Sequence, residues 1–166
     1  MSDEDWNGRR VLVLGLGDTG LSALRRLEAR GARLRAADTR AQPPALGAVR
    51  ERLPHLELAL GAFGEALLEG MDAVVASPGV ALREPVLQAA LRRGIEVLGD
   101  VEIFGREVGA RAPGSRVIGV TGTNGKSTVT ALAAAMGAAA GLRTVACGNI
   151  GLPVLDALDS PEGERA

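Results

Sequence analysis

Short apolar runs alternate along this chain with longer stretches whose apolar positions recur every three or four residues. That alternation predicts an α/β fold built on a parallel sheet. Residues 10–15, Arg-Val-Leu-Val-Leu-Gly, read as a buried strand ending in glycine. Residues 18–30 place Leu21, Leu24 and Leu27 on one helical face, and Gly31 follows where a helix stops. A second strand is expected over 33–38. Pro43-Pro44 then opens a loop and a helix reaching Leu53. Residues 56–60 and 73–76 give a third and a fourth strand, the latter running into the turn Ser77-Pro78-Gly79. A helix over 84–93, stopped by Gly94, leads to a fifth strand over 95–98. Residues 1–99 therefore read as a self-contained, Rossmann-like doubly wound domain.

The remainder, residues 100–166, repeats the rhythm only once. A helix over 100–111 meets the breaker cluster Ala112-Pro113-Gly114-Ser115, and a strand is expected over 116–120. A glycine-rich loop then opens an alanine-rich helix from Ser127 to about Ala140, closed by Gly141. A strand over 143–147, the turn Gly148-Asn149-Ile150-Gly151, a short helix over 153–158 and a polar, frayed tail over 159–166 complete the expectation. One βαβ unit cannot bury both faces of a parallel sheet. This second part is therefore expected to be the start of a P-loop ATPase domain, and incomplete.

Composition narrows the chemistry. Nineteen basic residues against 20 acidic ones leave a net charge of −1, which gives no basic excess for nucleic acid or an anionic membrane. The acidic start of the chain reads as no signal peptide, and no run approaches the length of a membrane span. A lone cysteine, Cys147, allows no internal disulfide, and the chain reads as cytoplasmic; a monomer is expected. Cys147 itself reads as a small buried residue, His55 as a surface one, and the pairs Arg25-Arg26 and Arg92-Arg93 as solvated helix faces.

Two loops carry candidate chemistry. Gly122-Thr123-Asn124-Gly125-Lys126-Ser127-Thr128 lies between an expected strand and a helix start, where backbone N–H groups converge on phosphate oxygens. The chain has 18 arginines and a single lysine, and that lysine is Lys126. A compact ammonium fits among phosphate oxygens where a planar guanidinium does not. Lys126 is thus placed on the β- and γ-phosphates of ATP, with the Ser127 hydroxyl on Mg²⁺ and Thr128 as a further donor. The spacing is not a strict G-x-x-x-x-G-K-[ST], because Gly122 begins a shorter loop. The other loop, Gly15-Leu16-Gly17-Asp18-Thr19-Gly20, fits G-x-G-x-x-G, and Asp38 ends the next strand 18 residues beyond Gly20. On its own this pattern predicts an NAD-binding oxidoreductase, although Asp18 would repel a close pyrophosphate and only Arg40 offers it a counter-ion. A nucleotide-binding module without catalysis is a further reading.

Taken in order, Gly-Leu-Gly-x-Thr-Gly, Asp38-Thr39-Arg40, Ser77-Pro78-Gly79, Gly122 to Thr128 and Gly148-Asn149-Ile150-Gly151 resemble the Mur ligases, and within them the branch that adds D-glutamate. The resemblance covers nearly the whole chain; the phosphate loop is shared with sibling Mur ligases that add other amino acids. It implies a first domain holding the UDP part of UDP-N-acetylmuramoyl-L-alanine through Asp18, Thr19, Thr39 and Arg40, with Ser77, Pro78 and Gly79 lining the same pocket. It places Asn149 on the muramoyl portion, and gives ATP to Gly122, Thr123, Asn124, Gly125, Lys126, Ser127 and Thr128. Lys126 becomes the catalytic residue and Ser127 the Mg²⁺ ligand. The implied reaction makes an acyl phosphate that the amine of D-glutamate attacks, in peptidoglycan precursor synthesis. Further metal ligands and a D-glutamate-binding domain of that family have no counterpart here, so the chain alone is expected to bind nucleotide without ligating.

Overall fold

A computed structural model of the protein describes residues 6–111 and 114–159. The chain divides into two compact units, residues 1–103 and 104–166. The expectations for residues 112 and 113 and for the tail over 160–166 lie outside the described residues.

The first unit is a five-stranded parallel sheet flanked by helices. Its strands are β1 (Arg10–Leu14), β2 (Arg33–Asp38), β3 (Glu57–Leu60), β4 (Ala73–Ala76) and β5 (Glu96–Leu98), in the order β3-β2-β1-β4-β5. Helices α1 (Asp18–Ala29), α2 (Leu46–Arg52) and α3 (Pro85–Arg92) connect them, and α4 (Asp100–Arg111) leads onward. The register pairs Leu14 with Ala37 on one side and with Ala76 on the other, so the three central strands end level. β1 is central, and its Val11, Leu12, Val13 and Leu14 are fully buried, which is why both faces of this strand are apolar. Beneath one face, Leu12, Leu14 and Val74 pack with Leu68, Val86, Leu87 and Ala90.

Helix α1 buries Leu24 and Leu27 of the face its periodicity predicts, with Ala23 beside them, while Leu21 is only half-buried. Its end is chemical as well as periodic. Gly31 adopts φ +81°, its N–H reaches the Glu28 carbonyl, and the Ala32 N–H reaches Leu27, so the last carbonyls of the helix are satisfied. Gly94 after α3 repeats the pattern.

Two features of this unit depart from expectation. A 3-10 turn at Glu65–Leu68 was not legible, and it is held from outside: Arg35 on β2 donates to the Leu67 carbonyl at 2.9 Å. Arg26, expected on a solvated face, is only 6% exposed, because it shares the buried Ser22 side of α1 rather than its outer side. Arg92 and Arg93 are exposed as expected, and both pair with Glu65.

In the second unit, helices α5 (Lys126–Ala139) and α6 (Val154–Ala157) form, but the strands expected over 116–120 and 143–147 do not. Among the described residues the only strand-type pairing there is an isolated bridge between Cys147 and Leu152. The reason is burial. Val117 and Ile118 stand 60% and 76% exposed and α5 buries no residue, so among the described residues nothing covers the two faces a parallel ladder needs. Among its described residues the second unit therefore shows no P-loop sheet. Helix α5 nevertheless ends as its sequence predicts, with the Leu142 N–H on the Gly137 carbonyl and Gly141 at φ +78°. No helix among the described residues is long and apolar enough to cross a membrane.

Candidate functional site

Strand order places a break in direction between β1 and β4: the chain winds outward from β1 through β2 and β3, then returns to β4 and β5. Open parallel sheets bind ligands at the carboxyl ends of strands beside such a break. The residues found there are the first glycine-rich loop after β1, Asp38-Thr39-Arg40 after β2, and Ser77-Pro78-Gly79 after β4. Asp18, Thr19, Thr39, Arg40, Ser77, Pro78 and Gly79 are therefore brought to one edge, as their motifs imply.

The three glycines of the loop do different work. Gly15 takes φ +92° against Ser77, whose hydroxyl donates to the Gly15 carbonyl at 3.1 Å. Gly20 starts the packing of α1 on the sheet: a Cβ there would lie 1.9 Å from the Gly15 carbonyl oxygen. Gly17, which caps α1, would meet nothing within 4 Å, and no side chain caps the helix start. A helix start left without a side-chain cap is where an anionic group can meet backbone N–H groups.

Asp38 is the centre of the site's polar order, although it is 2% exposed. One carboxylate oxygen accepts from the Leu16 amide at 2.7 Å and from Arg40 Nη2 at 2.7 Å. The other accepts from the Arg40 amide and from Arg40 Nε, both at 2.8 Å. The Arg40 side chain holds the Asp38 carboxyl far below the usual range, burial opposes this, and the Leu16 and Arg40 amides add to the lowering. A carboxylate offers about four acceptor positions, and here all are filled. An NAD site needs this acid to receive ribose hydroxyls, so the geometry disfavours the dinucleotide reading. It also removes Arg40 as a counter-ion for exposed Asp18, since the guanidinium fork is committed to Asp38. Leu16 is clamped on its other side as well, its carbonyl accepting from the Ala45 amide at 3.1 Å. Neither anchor of Leu16 was predictable from motif spacing.

The phosphate-type loop belongs to the second unit. Gly122 and Gly125 adopt φ +144° and +76°, and a Cβ on Gly125 would meet nothing within 4 Å. Lys126 Nζ turns back over the loop, donating to the Gly122 carbonyl at 2.6 Å and to Thr123 at 3.2 Å. Thr123, Asn124, Ser127 and Thr128 are exposed around it, and α5 begins without a side-chain cap. An ammonium held over a glycine loop at an uncapped helix start suits the phosphates of a nucleotide. For Mg²⁺ the fit is partial: Ser127 offers one hydroxyl, and no cluster of three His, Cys, Asp or Glu side chains occurs among the described residues. Asn149 is exposed in a turn closed by the Gly148 amide on the Leu152 carbonyl at 2.7 Å. Cys147 beside it is half-buried, and burial pushes its thiol pKa up, as befits a packing residue rather than a nucleophile.

Comparison with known proteins decides the family. Residues 9–99 match the family model described as Mur ligase MurD-like, N-terminal domain. The chain belongs to the MurD-like Mur ligases. The UDP-N-acetylmuramoylalanine--D-glutamate ligase of Methylobacillus flagellatus is 54% identical over 151 residues, which cover 91% of this chain and 33% of that protein. The ligase of the same name from Pectobacterium atrosepticum is 46% identical over 157 residues, 95% of this chain and 34% of its own length. Similarity to these MurD-like relatives thus runs past residue 99 into the second unit. The chain spans about a third of the length of the curated relatives it matches. A solved pseudomurein peptide ligase type C from Methanothermus fervidus superposes with a TM-score of 0.51 at 24% identity, covering 74% of this chain and 24% of that one, a likeness of fold.

Proposed function

We propose that residues 1–99 hold the uridine diphosphate end of UDP-N-acetylmuramoyl-L-alanine, and that residues 100–166 begin an ATP-binding P-loop domain. Together with the polypeptide that the longer relatives possess, this machinery adds D-glutamate to the substrate carboxyl by way of an acyl phosphate, in the cytoplasm. The observation carrying the reading is the edge at the ends of β1, β2 and β4, where α1 begins without a side-chain cap while the oxygens of Asp38 are filled and closed to a ribose. In it, Thr19 and the α1 amides would receive the diphosphate, and Thr39, Arg40, Ser77, Pro78 and Gly79 would frame the nucleoside. Asn149 would contact the muramoyl portion.

Gly122 to Thr128 would hold ATP, with Lys126 against its phosphates and Ser127 as one ligand of Mg²⁺. The metal supplies charge neutralisation between two anions when bound. Lys126 contributes the same effect from the protein side, a fixed positive charge where negative charge gathers. The chain by itself is not expected to be catalytically complete, since it spans about a third of the length of the ligases it matches.

Binding and turnover measured on the 166-residue chain test this directly. Isothermal titration should detect UDP and give no heat with NAD. ATP, UDP-N-acetylmuramoyl-L-alanine and D-glutamate together should release no phosphate. Binding of NAD in preference to UDP would overturn the substrate reading, and phosphate release dependent on D-glutamate would overturn the incompleteness of the chain.

A further inference from the structure

The nucleotide cleft depends on a residue that has no room to touch a nucleotide. Asp38 is 2% exposed, and its two oxygens already accept four hydrogen bonds, three from Arg40 and one from Leu16. Its partners are the useful ones. Leu16 sits between Gly15 and Gly17, and its amide and carbonyl are taken by Asp38 and Ala45, so the peptide groups on both sides of one loop residue are fixed, from β2 and from the approach to α2. Arg40 has Nε and Nη2 locked to the carboxylate and still keeps its side chain 52% exposed, and Nη1 takes no part in that fork.

We propose that Asp38 is a positioning residue of the nucleotide cleft, setting the glycine loop and the Arg40 guanidinium in place without contacting the ligand. The proposal rests on the uridine-nucleotide reading given above. A free arginine side chain loses much rotamer entropy when it engages a ligand; the fork to Asp38 removes that cost before binding. The fork also neutralises most of the arginine's charge locally. Arg40 therefore acts through shape and its remaining donors rather than as a bare cation for the diphosphate.

A double-mutant cycle in UDP affinity separates this from the alternatives. Asp38→Asn keeps the size of the side chain and an acceptor for Leu16 but loses the charged fork. It should weaken UDP on the order of tenfold, the scale of a hydrogen bond to a charged group. Arg40→Gln should weaken UDP comparably, and the double variant should bind no more weakly than the weaker single one. If the Asp38→Asn loss persists in full in the Arg40→Gln background, Asp38 acts independently of Arg40 and the proposal falls. The Leu16 amide resonance in ¹⁵N spectra provides a second readout on folded protein. It should stay exchange-protected in Asp38→Asn and lose protection in Asp38→Ala; protection unchanged in Asp38→Ala would equally overturn the clamp. Failure of the unaltered chain to bind UDP would remove the nucleotide reading, and this proposal with it. Normal UDP binding with an additive cycle would remove this proposal alone.

Discussion

Replacing Gly20 by alanine sets two effects of similar size against each other, and the structure decides the sign. Gly20 lies in the first turn of α1, where alanine is the better helix former by about 1 kcal/mol. Against this, the new Cβ would stand 1.9 Å from the Gly15 carbonyl oxygen and 3.0 Å from its carbon, about 1.5 Å short of ordinary contact. Gly15 cannot retreat cheaply. Its N–H is bonded to the Ala37 carbonyl at 2.8 Å and its carbonyl accepts from Ser77, so moving it disturbs three adjacent strands. Helix α1 must move instead, away from Leu24 and Leu27 in the core. Overpacking of this kind costs roughly 1–3 kcal/mol, and a lost hydrogen bond adds about 1 kcal/mol. The expected net is a destabilisation of roughly 2 kcal/mol.

Gly47→Ala in α2 is the matched control: nothing lies within 4 Å of its Cβ position, and it should stabilise by about 0.4–1 kcal/mol. Urea unfolding followed by Trp6 fluorescence reports on this unit, since Trp6 is the one tryptophan and is 2% exposed. A Gly20→Ala protein as stable as the parent, with an unchanged urea slope, would refute the close-packing account.

Three further outcomes are expected. The Asp38 pKa is depressed in the fold, so its contribution is complete above the unfolded value of about 3.9 and is lost as pH falls below it; Asp38→Asn should flatten the acid limb of stability against pH. Burial raises the pKa of Asp100 at the start of α4, so its stabilising contribution belongs to low pH and is lost as pH rises through the folded value. Asp100→Asn should therefore raise the thermal midpoint at pH 7, and the gain should vanish below about pH 4. Leu14→Ala empties a fully buried site at the end of β1 and should cost roughly 2–5 kcal/mol in the same urea assay.

Much of the first unit was legible because its signals are local. Apolar runs marked all five strands, and Gly31 and Gly94 marked helix ends through the positive φ that the closing turn requires. The functional edge was legible in part. Motif spacing located the glycine loop and Asp38, but assigning Asp38 to a ribose missed Arg40, two residues away, which fills its oxygens. The Arg35 anchor and the buried side of Arg26 depend on tertiary packing that no short-range pattern encodes. The strands over 116–120 and 143–147 failed for the converse reason: a local apolar pattern needs covered faces to become a ladder, and Ile118 has none among the described residues.

Strand order also has a consequence for how the chain folds. β1 is the first strand in sequence and lies at the centre of the sheet, yet one of its two neighbours, β4, begins only at Ala73. During synthesis, Val11 to Leu14 can pair with β2 early, but one edge of that apolar strand stays open until about sixty more residues have emerged. At ribosomal rates of roughly 5–20 residues per second this is an interval of several seconds, long compared with hairpin formation or collapse. The middle of the finished sheet is thus its most exposed part while the protein is being made, and an encounter with a chaperone or with another nascent chain would occur there.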